Sequence, residues 1–543
     1  MLGLMQDRQL LIPHIIEHAA RVHGDMPIVT LAVEGGRHAY SYGDCAQRAR
    51  QLAQALQRLH VKLGDRIATL AWNTYRHVEI WYAVAGIGAI AHTINPRLFD
   101  DQIVYIANHA EDRILFFDLS FLDKVEALAP RLQSVEMFVL MSDRAHMPAR
   151  SALPNLLCYE DLLGTEDGDF AWPELDERTA AGLCYTSGTT GNPKGVLYSH
   201  RSNVLHSYAV CMADGFGTCS HDVIAPIVPM FHANAWGVPY AASMVGAKLV
   251  LNGPHFDAAT LHRMFDEEGV TITMAVPTVW LGLLNHLRET GGRLASVKRI
   301  VIGGAAAPRS MIETLEKTYG VEVIHAWGMT ELNPLGTTGT LSAKALQLPP
   351  AERLNLKCKQ GRVLYGVDMK IVDDDGKELP RDGKAFGHLM VRGPWVVKEY
   401  FKGEGGDILD GDGYFDTGDV ATIDPLGYMQ ITDRAKDVIK SGGEWISSID
   451  LENLAVGHPD VMEAAVIGVR HPKWDERPLL IVVPRNGAAP SKDAILDHIR
   501  PHVTSWWLPD DVAFLDELPH TATGKIQKLK LREMFRNYKL PEV

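Results

Sequence analysis

Three short apolar runs lie close together in the middle of the chain, and stretches long enough for a helix separate them. They are KLVL, ITMAV and KRIVI, at residues 248–251, 272–276 and 298–302. Continuous apolar runs of four or five residues are typical of strands buried on both faces, and such strands occur in parallel sheets covered by helices. The pattern therefore predicts an α/β fold with parallel sheets.

Other segments of the first half fit the same layered architecture. Residues 41–59 have the spacing of an amphipathic helix, with Ser41 as its N-cap and Asp44 completing an acidic variant of the capping box. Residues 66–71, RIATLA, predict a short buried strand. The uncharged run at residues 80–96 is a little short for a membrane span, so it predicts a buried helix.

The size and charge of the chain limit its function. A length of 543 residues is typical of about two to four domains. The chain has 46% apolar and 22% charged residues, which is ordinary for a globular protein. Its formal net charge of −14 argues against a nucleic-acid partner, because the phosphate backbone is also negative.

The N-terminus and the cysteines indicate the compartment. The first twenty residues lack the basic start, continuous apolar run and small-residue cleavage site of a signal peptide. The six cysteines form no CxxC or Cys/His cluster, a distribution typical of reduced thiols. These observations predict a cytoplasmic protein without integral membrane association.

The composition of the sequence changes near residue 360, where turn-forming residues become frequent. VDDDGKELP, LDGDGYFDTGD and DPLGY are turn-rich and punctuate short strands, so they predict a β-rich subdomain. After DRAKD, about a hundred residues carry their own alternating elements, enough for a small separate domain. We therefore place the N-terminal domain at residues 1–433, a connecting segment at 434–436 and the C-terminal domain at 437–543.

One glycine-rich segment follows the apolar run AGLC. In YTSGTTGNPKGVLYSH, residues 185–200, backbone N–H groups, hydroxyls and one lysine are spaced to surround anionic oxygens. The spacing is not that of a P-loop, because Pro193 replaces its second glycine and Gly195 replaces its magnesium-binding Ser or Thr. A generic loop of this composition is more often a surface turn. The candidate phosphate-binding residues are Thr186, Ser187, Gly188, Thr189, Thr190 and Lys194.

YTSGTTGNPKG resembles the signature of the adenylate-forming enzymes, which include acyl-CoA synthetases, luciferases and peptide-synthetase adenylation domains. WGMTE, YFDTGD and PHTATGKIQK resemble the later motifs of that superfamily and follow in the same order, so the resemblance extends from about residue 30 to 530. It implies stacked α/β subdomains plus a β-rich subdomain, and a small mobile C-terminal α+β domain. It also implies that the glycine-rich loop holds the β- and γ-phosphates of ATP.

The resemblance assigns the nucleotide site. In WGMTE, residues 327–331, Trp327 and Gly328 would border the adenine, Thr330 would donate to the α-phosphate, and Glu331 would hold Mg²⁺ between ATP oxygens. The turn GGAAAP would add Gly303 and Ala305 to the adenine side. As bare patterns, WGMTE is typical of a helix start and TGD of a turn. Asp419 of YFDTGD and Arg434 would bind the ribose, and Lys436 falls at the superfamily's hinge.

The C-terminal motifs concern the two chemical steps. Lys525 of PHTATGKIQK matches the lysine that contacts the reacting carboxylate and the α-phosphate. A lysine this close to a C-terminus is otherwise a solvated surface charge. SGGEWIS, residues 441–447, matches the segment that lines the thioester-forming face, which assigns that face to Gly442, Gly443 and Glu444.

PMFHANAW, residues 229–236, resembles the superfamily's acyl-pocket motif. His232 would lie by the carboxylate and the adenylate, and Trp236 would line or gate the acyl tunnel. Gly303 and Pro334 are further pocket candidates. The alternative for this segment is an aromatic cluster of the core.

The resemblance implies an AMP-forming acyl-CoA synthetase, an acid–thiol ligase that uses ATP, Mg²⁺ and coenzyme A. A carboxylate attacks the α-phosphorus, and a thiol then displaces AMP from the acyl-AMP. Within the superfamily the chain is most similar to methylmercaptopropionate-CoA ligases and medium-chain fatty acyl-CoA ligases. The acid is therefore short or medium in length, with methylmercaptopropionate favoured and general fatty acid metabolism as the alternative.

Other functions remain open at this point. A free-standing adenylation domain would share the ATP motifs, and so would a luciferase, although nothing indicates an oxygenation pocket. A catalytically inactive AMP-binding protein would be expected to lack Lys525 or Glu331, and both are present. A homodimer is open as well, because an interface cannot be located from the sequence.

Overall fold

The computed structural model of the chain describes residues 1, 3–186, 192–435, 437–441, 444–485, 487–520 and 526–541. Within these residues the strands form four sheets, two of them mostly parallel. The strands, in chain order, are β1 (Pro27–Leu31), β2 (Arg37–Ser41), β3 (Arg66–Leu70), β4 (Ile90–Thr93), β5 (Asp112–Phe117), β6 (Met137–Leu140), β7 (Leu156–Cys158), β8 (Ala180–Tyr185), β9 (Gly195–Ser199), β10 (Val223–Pro226), β11 (Lys248–Leu251), β12 (Ile272–Ala275), β13 (Arg299–Ile302), β14 (Glu322–Gly328), β15 (Leu335–Thr338), β16 (Arg362–Val363), β17 (Asp368–Val372), β18 (Gly387–Arg392), β19 (Phe415–Ile423), β20 (Met429–Arg434), β21 (Ile439–Ser441), β22 (Glu444–Ile446), β23 (Val461–His471), β24 (Asp475–Pro484) and β25 (Asp511–Phe514).

The helices cover the faces of these sheets, and short 3₁₀ turns connect several of the elements. The α-helices are α1 (Ile12–Val22), α2 (Tyr42–Arg58), α3 (Tyr75–Gly86), α4 (Asp100–Ala110), α5 (Leu122–Leu128), α6 (Tyr159–Gly164), α7 (His200–Cys211), α8 (Val238–Val245), α9 (Ala258–Glu268), α10 (Pro277–Thr290), α11 (Arg309–Lys317), α12 (Ala343–Leu346), α13 (Pro350–Cys358), α14 (Ser448–Val456), α15 (Lys492–Ile499) and α16 (Lys528–Met534).

Two large sheets make up most of the N-terminal part. One has the strand order β7-β6-β5-β3-β4-β8-β9, and the other has the order β16-β15-β14-β13-β12-β10-β11-β1-β2. Helices α1, α2, α3, α7 and α8 pack against one another and share one hydrophobic core with both sheets. The predicted α/β layers are therefore confirmed.

The remaining two sheets account for the turn-rich sequence beyond residue 360. Strands β17 to β20 form an antiparallel sheet in the order of the chain. After it comes a small sheet of β22, β21, β24 and β23, with β25 parallel to β24. Helices α14 and α15 pack on one face of this small sheet, and α16 packs on the other. The predicted β-rich subdomain and small C-terminal α+β unit are confirmed.

Local predictions have mixed outcomes. The apolar runs KLVL, ITMAV and KRIVI form β11, β12 and β13, and Ser41 and Asp44 form the predicted capping box of α2. The prediction of one buried helix at residues 80–96 is wrong, because α3 ends at Gly86 and β4 begins at Ile90. Gly88, with φ of 81°, turns the chain between the two elements, a conformation that glycine adopts without a Cβ clash.

Two further properties concern the helices and the cysteines. None of the helices in the described residues is long and apolar enough to cross a membrane. All six cysteines are described and carry free thiols.

Asn73 joins the two large sheets. It follows β3 of one sheet and is fully buried. Its Nδ2 donates to the carbonyl oxygens of Pro226 at 2.8 Å and Val228 at 3.0 Å, and its Oδ1 accepts from the N–H of Met230 at 2.7 Å. One side chain therefore fixes the segment that leads from β10 into PMFHANAW.

Replacing Asn73 with Ala should destabilise the fold by about 3–4 kcal/mol, because its four buried hydrogen bonds, to Pro226, Val228, Met230 and Asn252 Oδ1, are lost at roughly 1 kcal/mol each. Thermal unfolding monitored by circular dichroism measures the change. Asn108→Ala is the matched control, since the Asn108 amide also bonds backbone groups, the carbonyl oxygen of Arg131 and the N–H of Gln133, but at an exposed site. Equal melting temperatures for the two variants would show that Asn73 does not hold the two large sheets together.

Candidate active site

A cleft opens where three parallel strands end. Strands β12, β13 and β14 pair in register, so their carboxyl ends lie at one edge of the sheet, the usual place for ligands in α/β proteins. The cleft has a volume of about 1500 Å³. Val276, Gly303 and Trp327 belong to its wall.

Most of the predicted site residues that the structure describes share this cleft. They come from separate motifs spread over about 250 residues of sequence, and the fold brings them to one surface. The predicted residues on its wall are Thr186, Lys194, His232, Trp236, Gly303, Ala305, Trp327, Gly328, Thr330, Glu331, Pro334, Asp419 and Arg434.

The other predicted site residues are Glu444 and eight residues outside the described part of the chain. The backbone of Glu444 is described, and it pairs with Ser441 in the β21–β22 hairpin. The predicted site residues outside the described part of the chain are Ser187, Gly188, Thr189, Thr190, Lys436, Gly442, Gly443 and Lys525.

The glycine-rich segment connects two antiparallel strands. Tyr185 at the end of β8 pairs with Gly195 at the start of β9. The N–H of Thr186 donates to the carbonyl oxygen of Lys194 at 2.9 Å, and the N–H of Lys194 donates to Thr186 Oγ1 at 3.2 Å. These bonds close the base of the loop and place Lys194 at its rim.

Glu331 is a buried carboxylate on the wall of the cleft. It lies in the 3₁₀ turn Thr330–Leu332 that follows β14, and it is 8% exposed. Burial raises the pKa of Glu331, and the hydrogen bond that Tyr400 Oη donates to Glu331 Oε1 at 2.8 Å opposes this shift. Burial and the adjacent carboxylate raise the pKa of Tyr400, so its hydroxyl remains protonated and acts as the donor.

The main chain on both sides of Glu331 is also fixed. Tyr198 donates from Oη to the carbonyl oxygen of Thr330 at 2.7 Å. The N–H of Val397 donates to the carbonyl oxygen of Glu331 at 2.7 Å. The turn therefore presents Thr330 and Glu331 in one defined orientation, which is a requirement of electrostatic catalysis.

The donor set around Glu331 fits a magnesium ion that arrives with a nucleotide. In the described part of the chain Glu331 Oε2 has no hydrogen-bond partner, and no cluster of three or more His, Cys, Asp or Glu side chains could hold a metal ion. Mg²⁺ commonly uses one or two protein carboxylates together with phosphate oxygens and water. A single buried carboxylate on a cleft wall that also presents Lys194 and Thr330 matches that pattern.

Asp419 is held between an indole and a guanidinium. The pairing of β19 with β20 sets Asp419 opposite Arg434. Trp327 Nε1 donates to Asp419 Oδ2 at 3.0 Å, and Arg434 Nε lies 2.9 Å from Oδ1. The carboxylate is 2% exposed, so these two donors replace the water that it would bind if it were exposed.

The segment after His232 is a left-handed turn. Ala233, Asn234, Ala235 and Trp236 all have φ between 44° and 56°. Each such non-glycine residue costs about 1–2 kcal/mol, so tertiary contacts must stabilise the turn. Asn234 provides one of them, because its buried Oδ1 lies 3.3 Å from the Sγ of Cys184.

The left-handed turn directs Trp236 toward Gly303. A Cβ on Gly303 would lie 3.0 Å from Trp236 Cη2 and 3.1 Å from the carbonyl oxygen of Ala326. The indole therefore closes one side of the cleft against a position where only glycine fits without a shift.

Sequence reasoning missed Tyr400, Tyr198 and Asn73. Tyr400 and Asn73 lie outside the quoted motifs, and Tyr198 lies in the glycine-rich segment but after its phosphate-binding candidates. Each acts through a hydrogen bond to a residue at least 69 positions away, which periodicity and composition do not reveal.

Comparison with known families identifies the class. Residues 16–401 match the family described as AMP-binding enzyme, and residues 450–525 match the family described as AMP-binding enzyme C-terminal domain. The chain belongs to the AMP-binding enzyme family, and the predicted membership of the adenylate-forming superfamily is confirmed.

Full-length relatives lie close in sequence. The 3-methylmercaptopropionyl-CoA ligase of Ruegeria lacuscaerulensis is 53% identical, with 99% of both chains covered. The medium-chain-fatty-acid–CoA ligase of Ectopseudomonas oleovorans is 50% identical, with 98% of both covered. A crystal structure of an anthranilate CoA ligase with anthranoyl-AMP has a TM-score of 0.87 at 24% identity, over 98% of this chain and 99% of that one, which supports the fold.

Replacing Trp327 with Phe should lower the affinity for AMP roughly fivefold, because about 1 kcal/mol is lost with the hydrogen bond to Asp419 while the aromatic wall remains. Calorimetric titration with AMP measures it. Trp280→Phe is the control, since the Trp280 indole also donates a buried hydrogen bond, to Ala275, but away from Asp419. An unchanged affinity in Trp327→Phe would refute the link between the indole and nucleotide binding.

Proposed function

We propose that the chain is an ATP-dependent acyl-CoA ligase. It forms acyl-AMP from a short or medium-chain carboxylic acid, releases pyrophosphate, and then transfers the acyl group to coenzyme A with release of AMP. The observation that carries this function is the convergence of Lys194, Thr330, Glu331 and Asp419 on one cleft. Full-length identity of half or more to CoA ligases supports it.

In the first half-reaction the carboxylate of the substrate is itself the nucleophile. Two anions must approach each other, and charge develops on the α-phosphate, so fixed donors and cations are the main requirement. Thr330 and Lys194 supply them from the cleft wall, and Asp419 with Arg434 holds the ribose. Lys525 is the cation proposed for the reacting carboxylate and α-phosphate.

Magnesium would be held by Glu331 through its open carboxylate oxygen. The ion neutralises phosphate charge when it is bound with ATP. Tyr400 and Val397 keep the carboxylate and its main chain in place before ATP enters.

In the second half-reaction the thiol of coenzyme A attacks the acyl carbonyl of the acyl-AMP, and AMP leaves. We assign Gly442, Gly443 and Glu444 to the surface that would receive coenzyme A, and Lys436 to the hinge between residues 1–433 and 437–543. Exclusion of water would protect the mixed anhydride between the two steps.

The acid is proposed to lie between His232 and Trp236. The indole packs on Gly303 and shortens the cleft, which fits a short or medium-length acid. The two relatives differ in the acid that they are named for, and their identities to this chain differ by only three percentage points. Methylmercaptopropionate is favoured, with general medium-chain fatty acids as the alternative. The cytoplasmic location and a homodimer stay predictions.

The deciding experiment measures AMP and pyrophosphate release with ATP, Mg²⁺ and coenzyme A over a panel of acids. The panel contains methylmercaptopropionate, propionate, butyrate, hexanoate, octanoate, palmitate and cinnamate, and Lys525→Ala is the control. We expect a maximum at methylmercaptopropionate or between butyrate and octanoate, and loss of acid-dependent release in the control. A folded, ATP-binding protein without acid-dependent pyrophosphate release would exclude the ligase and favour the inactive AMP-binding alternative.

Gly303→Ala should shift the chain-length preference toward shorter acids. The added methyl group lies 3.0 Å from the Trp236 indole and pushes it into the cleft. We expect kcat/KM for octanoate to fall at least about tenfold more than for propionate, since a displaced methylene costs roughly 1–3 kcal/mol.

Trp236→Ala is the matched opposite change. It removes the indole that closes the cleft and should raise kcat/KM for octanoate relative to kcat/KM for propionate. If both variants keep the wild-type ratio of octanoate to propionate, the acid does not lie against this indole.

A further inference from the structure

Tyr400 lies behind the wall of the cleft and contacts residues from two different motifs. It follows β18 in the connection to β19 and is 8% exposed. Its hydroxyl donates to Glu331 Oε1 at 2.8 Å, and Lys194 Nζ lies 4.8 Å from the centroid of its ring. One side chain therefore contacts a carboxylate with its edge and an ammonium group with its face.

The surrounding segment strengthens both contacts. On the Glu331 side, the N–H of Val397 donates to the carbonyl oxygen of Glu331. On the Lys194 side, a Cβ on Gly405 would lie 2.9 Å from Lys194 Nζ. Residues 397–405 therefore hold Glu331 by two bonds and lie close to the Lys194 ammonium group.

We propose that Tyr400 is a positioning residue that sets the Glu331 carboxylate and the Lys194 ammonium group relative to each other for a magnesium-bound triphosphate. This role rests on the proposed function, because that function makes Glu331 the magnesium ligand and Lys194 a phosphate ligand. The hydroxyl and the ring contribute separately, so the two parts can be tested one at a time.

The hydroxyl fixes which carboxylate oxygen is available. It uses Oε1, and Oε2 has no hydrogen-bond partner within the described residues. Outer partners of this kind orient a metal ligand, and their loss commonly costs about 10–100-fold in metal affinity or activity.

The ring restricts the lysine. A lysine side chain has four rotatable bonds, and an ammonium group is attracted to the face of an aromatic ring. The contact with Tyr400 keeps Lys194 at the rim of the glycine-rich loop. The alternative is that Tyr400 only fills the core, where its ring also lies against Phe415 with centroids 6.4 Å apart.

The test compares Tyr400→Phe, which removes only the hydroxyl, with Tyr400→Leu, which removes the ring as well. Calorimetry on the full-length protein measures the affinity for ATP with excess Mg²⁺ and for ATP with EDTA. We expect Tyr400→Phe to weaken Mg²⁺-ATP binding about tenfold and to leave metal-free ATP within about twofold. Tyr400→Leu should weaken both.

Tyr159→Phe is the matched control for the loss of a buried tyrosine–glutamate hydrogen bond. Tyr159 Oη donates to Glu79 Oε2 at 2.7 Å, and both side chains are fully buried outside the cleft. Its affinities for both forms of ATP should equal those of the wild type. Melting temperatures establish folding, and titrations below the lowest melting temperature keep all variants comparable.

A double variant separates positioning from general packing. In a Glu331→Gln background, Tyr400→Phe should cause no further loss of Mg²⁺-ATP affinity, because the ligand that it positions is already gone. Tyr400→Phe with wild-type Mg²⁺-ATP affinity, or with equal losses for both forms of ATP, would overturn the role. A wild-type protein that binds ATP but releases no pyrophosphate with any acid would instead overturn the proposed ligase.

Discussion

Parallel pairing of β12, β13 and β14 is the constraint on which the site depends. Because the three strands run in the same direction and in register, the residues that follow them meet at one edge, although they lie about 25 residues apart in sequence. Gly303, Trp327 and the turn with Glu331 occupy that edge. The antiparallel sheet then adds Asp419 and Arg434, which are paired opposite each other in β19 and β20, so no loop has to place either side chain alone.

Burial gives these groups their chemical character. Asp419 and Glu331 are almost fully removed from solvent, and each accepts a hydrogen bond from an aromatic side chain, Trp327 or Tyr400. Dipoles fixed during folding need no reorganisation when phosphate charge develops, and their effect is larger where water is excluded. The same burial raises the pKa of Glu331, an effect that a bound cation would reverse.

The sequence predicted what depends on local pattern. Apolar runs identified β11, β12 and β13, and the capping residues identified the start of α2. The uncharged run from residue 80 was read as one helix because periodicity does not separate a buried helix from a buried strand, and only the turn at Gly88 divides them. Motifs supplied the cleft residues, whereas Tyr400 and Asn73 depend on tertiary contacts that no spacing encodes.

The residues that lead into the proposed hinge also have defined neighbours. On its N-terminal side Arg434 is fixed by Asp419 within one sheet. Thr432 and Asp433, just before Arg434, bond to two serines of the C-terminal part. Ser447 Oγ donates to the carbonyl oxygen of Thr432 at 2.7 Å. Ser448 donates to Asp433 Oδ2 from its Oγ at 2.5 Å and from its N–H at 3.1 Å. A rotation at residues 434–436 would have to break the serine contacts, but it could leave the Arg434–Asp419 pair intact. In the proposed ligase, the Arg434–Asp419 pair assigned to the ribose would then stay in place through both half-reactions while the small domain changed the face that it presents.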